Sequence, residues 1–247
     1  MSKRVLSAIC QQLKRLEREP LIPTLLLLIA GGLWGFAEIA DEVTEQETHR
    51  FDRKILLAMR ESGDSSDPLG PQWMEEVGRD LTALGGFTVL TLLTLSVIGF
   101  LLFLGNYRVA LTALVAVAGG MALTHFLKQG FDRPRPDLVS HGVIVTNASF
   151  PSGHATMAAV VYLTLGVLFA RTLSRKRLRV YVIGVSGVVA VLVGISRVYL
   201  GVHWPTDVLA GLALGAAWAL VCWLLAMRLD RPGSAPDGLE ERGHTEL

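Results

Sequence analysis

Charge and cysteine are both scarce in this chain. Only 18% of its 247 residues are Asp, Glu, Lys or Arg, and the formal net charge is +1. So small a net charge creates no long-range field of the kind that gathers nucleic acid, and no nucleic-acid partner is expected. There are two cysteines, Cys10 in a polar N-terminal stretch and Cys222 inside a late apolar run. Their separation argues against a mutual disulfide, and no metal-ligand spacing exists. Clustered carboxylates of the Mg²⁺-binding kind are also missing. Apolar residues, by contrast, are in excess: 51% of the chain is hydrophobic, which points to a membrane protein of one domain.

The apolar residues fall in six runs, at 21–40, 87–104, 109–127, 155–173, 180–195 and 206–227. Each is close to the ~20 residues with which a helix crosses hydrocarbon. The expected fold is therefore all-α, a six-transmembrane helix bundle. The first run lacks a small-x-small cleavage site, so it reads as a retained span rather than a signal peptide. Gly211 and Gly215 in the last run form a small-xxx-small pair suited to close helix packing.

Domain boundaries follow. Residues 1–20 carry Leu6, Ile9, Leu13 and Leu16 at helical spacing among basic residues, the pattern of a cytoplasmic amphipathic segment. Residues 21–228 form the six-span domain, and 229–247 a polar cytoplasmic tail. The connector 41–86 is long for a loop. Phe51, Ile55 and Met59 share one helical face, and Trp73, Val77, Leu81 and Leu84 another, so two short interfacial helices are expected there. They would either border a lipid entrance or cover the top of the bundle.

Lys and Arg set the orientation. The dense Arg171, Arg175, Lys176, Arg177, Arg179 loop falls on the same side as both termini, making that side cytoplasmic in a plasma (inner) membrane. The remaining polar motifs then face the extracytoplasmic side. Charge is expensive in a bilayer, so these motifs mark a site for a polar guest, and basic groups at helix mouths favour phosphate.

Three motifs make up that site. Lys128 ends the third run, and Arg135 follows in a Pro-Arg-Pro stretch too rich in proline to continue the helix. Pro151-Ser152-Gly153-His154 opens the fourth run, so its first N–H groups lack helical partners and suit an anion. Ser152 adds a hydroxyl, and Gly153 lets the backbone approach a ligand. Ser196-Arg197 ends the fifth run, and His203 and Asp207, four apart, flank the start of the sixth. At that spacing the carboxylate reaches the imidazole if the turn is helical, which fixes the tautomer and leaves the other nitrogen as a nucleophile. Singly, each residue has a plainer reading: Lys128 as a snorkelling side chain, Arg135 or Arg197 paired with Asp132 or Asp137, His203 and Asp207 as a structural pair. Their shared membrane side argues for one site.

Lys-x6-Arg-Pro, Pro-Ser-Gly-His and Ser-Arg-x5-His-x3-Asp, in this order, resemble the signature of the type 2 phosphatidic acid phosphatase (PAP2) family, in its integral-membrane lipid phosphatase branch. The resemblance implies that His203 attacks phosphorus and carries a phosphohistidine, with Asp207 orienting it. His154 would protonate the leaving group and then activate water. Lys128, Arg135, Ser152, Gly153 and Arg197 would bind the phosphate oxygens, and no metal or other cofactor would be needed. The implied activity is hydrolysis of a lipid phosphomonoester or diphosphate, such as polyprenyl diphosphate, phosphatidylglycerol phosphate or phosphatidate. Its partners would be the lipid phosphate and the bilayer. The alternatives are a lipid phosphotransferase using the same histidine and, from another class, an anion transporter. The motifs choose neither the lipid nor an oligomeric state.

Overall fold

The computed structural model describes residues 21–137 and 148–229. The expected amphipathic segment 1–20 and nearly all of the tail lie outside the described residues. The described chain is almost wholly helical: α1 (Leu21–Thr44), α2 (His49–Ala58), α3 (Gln72–Leu84), α4 (Phe87–Phe103), α5 (Tyr107–Gly130), α6 (Gly153–Ala170), α7 (Lys176–Tyr199) and α8 (Pro205–Leu229).

Five of these, α1, α5, α6, α7 and α8, are long and apolar enough to cross a membrane. The sixth expected span is less simple. Helix α4 has 17 residues, about 26 Å at 1.5 Å per residue, slightly short of a ~30 Å hydrocarbon core. It qualifies only together with α3, from which it bends by 45°. The break falls at Gly85-Gly86, where two residues of poor helix propensity adjoin and Gly86 is extended. The chain is thus a multi-pass membrane protein, with five spans among the described residues, or six if the bent pair is one of them. Large apolar side chains such as Leu27, Trp34, Phe100, Phe103 and Phe126 face outward, as lipid contact demands.

Helix α6 is the central post. Half of its apolar window is buried, against 11% of that of α1, and it packs on α5, α7 and α8. Small residues permit this. A Cβ added at Gly211 would lie 2.8 Å from the Ser152 carbonyl oxygen, and one at Gly215 would meet Thr156 and Ala159, so α8 lies almost backbone-to-backbone on α6.

The connector 41–86 does form two helices, α2 and α3, but a two-stranded hairpin absent from the sequence reading lies between them. Strands β1 (Arg60–Glu61) and β2 (Asp64–Pro68) pair antiparallel around Gly63, whose φ is +111°. Of the apolar face expected in α2, Ile55 and Met59 pack on buried Leu56, whereas Phe51 is exposed and Asp52 is buried. In α3, Trp73 and Val77 point outward while Gly78 packs on Tyr199 of α7. Covering the bundle is therefore one function of the connector.

Candidate active site

The polar motifs meet at one end of the bundle: the C-terminal ends of α5 and α7 and the N-terminal ends of α6 and α8. The Arg171–Arg179 loop joins α6 to α7 at the opposite end. Local chain geometry delivers each group. Helix α7 closes in a Schellman motif: Val202 N–H donates to the Arg197 carbonyl (3.1 Å) and Gly201 N–H to that of Val198 (2.9 Å). Gly201 takes φ +71°, which a side chain would resist, and the chain turns at once to present His203. Pro205 then starts α8, its missing N–H costing nothing at that position. Ser152 caps α6, accepting from Ala155 N–H, while its own N–H donates to the Asp207 carbonyl (3.0 Å).

His203 is buried, 1% exposed. An Nη1 of Arg135 lies 3.2 Å from its Nε2. A guanidinium can only donate, so Nε2 holds the lone pair and the proton sits on Nδ1. Nδ1 faces Oδ2 of Asp207 at 3.3 Å and Oγ of Ser149 at 3.3 Å. Burial pushes the His203 imidazole down to about 4, with Arg135 and Arg197 acting in the same direction and Asp207 opposing. The ring is therefore neutral near pH 7, the form a nucleophile requires.

Asp207 is fully buried and collects donors. Oδ2 also accepts from Ser149 Oγ (2.5 Å) and Trp204 N–H (3.0 Å), and Oδ1 from Arg133 Nη1 (2.6 Å).

The expected phosphate-binding residues cluster beside this pair. The side chains of Arg197, His203, Lys128 and Arg135 all act electrostatically on His154, so both imidazoles lie within one basic cluster. Lys128 Nζ donates to the Ala148 carbonyl (3.2 Å), and a Cβ on Gly153 would lie 3.7 Å from its Cε. The absence of a side chain at Gly153 thus leaves space next to the ammonium. Arg135 donates to the Val202 carbonyl (2.9 Å), and burial lowers its pKa. Arg197 donates one Nη1 bond to Thr82 of α3 (2.9 Å), and its buried Nε has no hydrogen-bond partner among the described residues. Buried N–H groups without partners are costly, and a ligand oxygen would relieve that cost. Ser152 is fully buried beneath these groups.

Several residues of the site went unrecognised in the sequence. Arg133, not singled out in the sequence, is the arginine that pairs with the buried carboxylates Asp52 and Asp207. Ser149, Thr206, Asp52 and Thr82 also join in. Ser149 precedes the Pro-Ser-Gly-His motif by two residues and could have been flagged by proximity. For Asp52 the local signal is its position one turn before Leu56, on the same face of α2. A separate cavity of about 400 Å³ lies between the ends of α1 and α5, bordered by His49, Phe131, Arg133 and Trp204. None of the expected site residues line it.

Comparison with known proteins decides the family. The family model described as PAP2 superfamily matches residues 109–231. A phosphatidylglycerophosphatase B of Bacillus subtilis is 39% identical over 146 residues, 58% of this chain and 70% of that protein. The chain belongs to the PAP2 superfamily. It is a phosphatase of that family, and therefore a hydrolase. The crystal structure titled as the first transmembrane PAP2 type phosphatidylglycerolphosphate phosphatase from Bacillus subtilis superposes with a TM-score of 0.67 at 29% identity. That match covers 85% of this chain and 98% of that one. A lipid A 1-phosphatase of Rhizobium johnstonii is 33% identical over 126 residues, 47% of this chain and about half (48%) of that relative.

Proposed function

We propose that the protein hydrolyses the phosphomonoester or diphosphate group of a membrane lipid at the extracytoplasmic face, through a phosphohistidine on His203 and without a metal. The observation that carries this reading is the His203 ring itself. Its Nε2 lone pair faces the basic cluster while its Nδ1 proton faces buried Asp207. The names of the relatives support a lipid substrate, and phosphatidylglycerol phosphate is the first to test.

In this reading Lys128, Arg135, Arg197 and the N–H groups at Gly153 take the non-bridging phosphate oxygens, with Ser152 holding that helix mouth in place. The Nε2 lone pair forms a bond to phosphorus as the bond to the lipid oxygen breaks. His154, protonated once the bound phosphate dianion offsets the cations around it, gives its proton to that oxygen. The imidazole becomes cationic, and Asp207 stabilises it through Nδ1–H. Water then attacks phosphorus, passing a proton to His154. The P–N bond breaks, inorganic phosphate leaves, and Nε2 regains its lone pair. Charge on the equatorial oxygens is balanced throughout by donors already in position, which is the main demand of phosphoryl transfer.

Detergent-purified protein should release phosphate from phosphatidylglycerol phosphate, phosphatidate or a polyprenyl diphosphate with EDTA present, and His203→Ala should be inactive. A fully active His203→Ala variant would remove the proposed nucleophile. Release that stops on chelation would refute the metal-free chemistry.

A further inference from the structure

Asp52 lies in the connector helix α2, more than 75 positions upstream of the first motif residue, Lys128, yet it is completely buried in the floor of the site. All its partners lead to the nucleophile. Oδ1 accepts from Thr206 N–H (2.9 Å), one of the donors at the mouth of α8. Oδ2 accepts from Thr206 Oγ1 (2.7 Å) and from Arg133 Nη2 (2.5 Å). Arg133 in turn spends its other nitrogen, Nη1, on Asp207 Oδ1 (2.6 Å) and Thr206 Oγ1 (2.8 Å). A third tie runs from Nη2 to Thr48 Oγ1 (3.0 Å), and the guanidinium carbon lies 5.7 Å from the centre of the Trp204 ring. The guanidinium is therefore gripped between two buried carboxylates, one on α2 and one on α8.

Charge balance explains why the second carboxylate matters. Arg133 alone would neutralise Asp207, and a neutralised Asp207 would do little for an imidazolium at His203. With Asp52 on the far side of the guanidinium, the trio carries one net negative charge, placed next to Nδ1. Phosphoryl transfer to Nε2 creates one positive charge on that ring. The match depends on Asp52.

We propose that Asp52 is a positioning residue for the phosphatase reaction, acting through Arg133 to keep Asp207 oriented and anionic toward His203. The inference rests on the proposed phosphohistidine reading. It assigns the connector a part in the chemistry beyond covering the bundle: α2 completes the charge relay behind the nucleophile. Since Asp52 touches none of the basic residues assigned to phosphate, its loss should weaken the chemical step more than substrate binding.

The test compares wild type, Asp52→Asn, Arg133→Lys and the double variant Asp52→Asn/Arg133→Gln, each purified in detergent and checked for helicity and elution volume. Phosphate release is followed from phosphatidylglycerol phosphate, phosphatidate and a polyprenyl diphosphate. Asp52→Asn should lose about 10–100-fold in kcat, the usual scale for a supporting partner behind a reactive group, with KM within about threefold of wild type. The double variant removes the excess positive charge too, and should recover at least about fivefold over Asp52→Asn. A purely structural role predicts the opposite, because the double variant breaks more bonds. Should Asp52→Asn fail to fold, Arg133→Lys decides: it keeps the charge but lacks the planar fork, and should lose kcat about tenfold with KM held. Wild-type kcat in Asp52→Asn, a double variant no better than the single one, or wild-type kcat in Arg133→Lys would each overturn the proposal. A wild-type protein that releases no phosphate from any of the three lipids would instead sink the phosphatase reading itself.

Discussion

Replacing Asp207 with asparagine tests how much the buried carboxylate contributes to turnover. Four donors converge on its two oxygens: Arg133 on Oδ1, and Ser149, Trp204 N–H and His203 Nδ1 on Oδ2. An amide must place its NH₂ at one of those two positions. At Oδ2 it would oppose three donors and force His203 into the other tautomer, with a proton on Nε2 facing Arg135. At Oδ1 it opposes Arg133 alone, so the amide will turn its nitrogen that way and keep the carbonyl toward the imidazole. The tautomer is then retained, and charge alone is lost. At the observed 3.3 Å, a unit charge pair at an effective dielectric of ~20 is worth about 5 kcal/mol. That energy is absent while the ring is neutral and present once it becomes cationic, so it appears in kcat. The corresponding loss is about 10³–10⁴-fold, with little change in KM. Steady-state phosphate release from phosphatidylglycerol phosphate in detergent measures it. A variant within about threefold of wild-type kcat would show that no imidazolium forms beside this residue.

Two further outcomes follow from burial and packing. His203 is held near 4, below its ordinary 6.5, so in the folded protein the ring resists protonation that the unfolded chain accepts. Between those values the unfolded state binds more protons. Stability contributed by the neutral ring is therefore fully present above about pH 6.5 and lost as pH falls toward about 4. Thermal midpoints of wild type should drop across that window more than those of a folded His203→Gln variant; parallel curves would refute the assignment. Gly215→Ala places a methyl against the Thr156 carbonyl and 2.8 Å from the Ala159 Cβ, and should cost about 1–3 kcal/mol in thermal unfolding in detergent. Gly99→Ala, with nothing within 4 Å, is the control and should cost nothing. Equal midpoints for the two variants would deny the close approach of α8 to α6.

The elements legible in the sequence were those whose physics is local. A run of about 20 apolar residues declares a span by composition, and Pro-Ser-Gly-His at the head of one declares a helix mouth by its capping residues. His203 and Asp207 could be paired because four positions is one turn. The reading failed where partners come from distant chain. Arg133 and Arg135 are two positions apart and equally basic, and nothing local separates them. Only the fold turns Arg135 to the imidazole and Arg133 to the carboxylates. Asp52 looked like one polar residue among several in α2; Ile55 and Met59 of the expected face pack on buried Leu56, but Phe51 is exposed and Asp52 is buried. A buried acid contradicts the apolar-face rule, and its justification, Arg133, lies 81 residues away.

That contradiction also bears on what the site binds. Four cations stand at this end of the bundle, Lys128, Arg133, Arg135 and Arg197, against two buried carboxylates, Asp52 and Asp207. The carboxylates lie behind His203, tied to Arg133, while Lys128, Arg135 and Arg197 stand around the imidazoles, so the cluster as a whole carries a surplus of two positive charges. Concentrating like charges under partial burial is unfavourable on its own, since each guanidinium and ammonium loses hydration and repels the next. A doubly charged phosphate monoester would restore neutrality, and its oxygens would satisfy N–H groups such as Arg197 Nε, which has no partner among the described residues. A carboxylate-bearing or zwitterionic guest would cancel less of the repulsion. In the proposed reading this arrangement would favour a phosphate dianion over singly charged or zwitterionic headgroups. Affinity for inorganic phosphate, the product, should weaken as pH falls through its second ionisation, about one unit above the ~6 of a phosphate ester, because the monoanion cancels only half of the surplus. Titrating phosphate inhibition of lipid hydrolysis between pH 5 and pH 7.5 measures this, and an inhibition constant independent of pH would show that the surplus charge does not face the ligand.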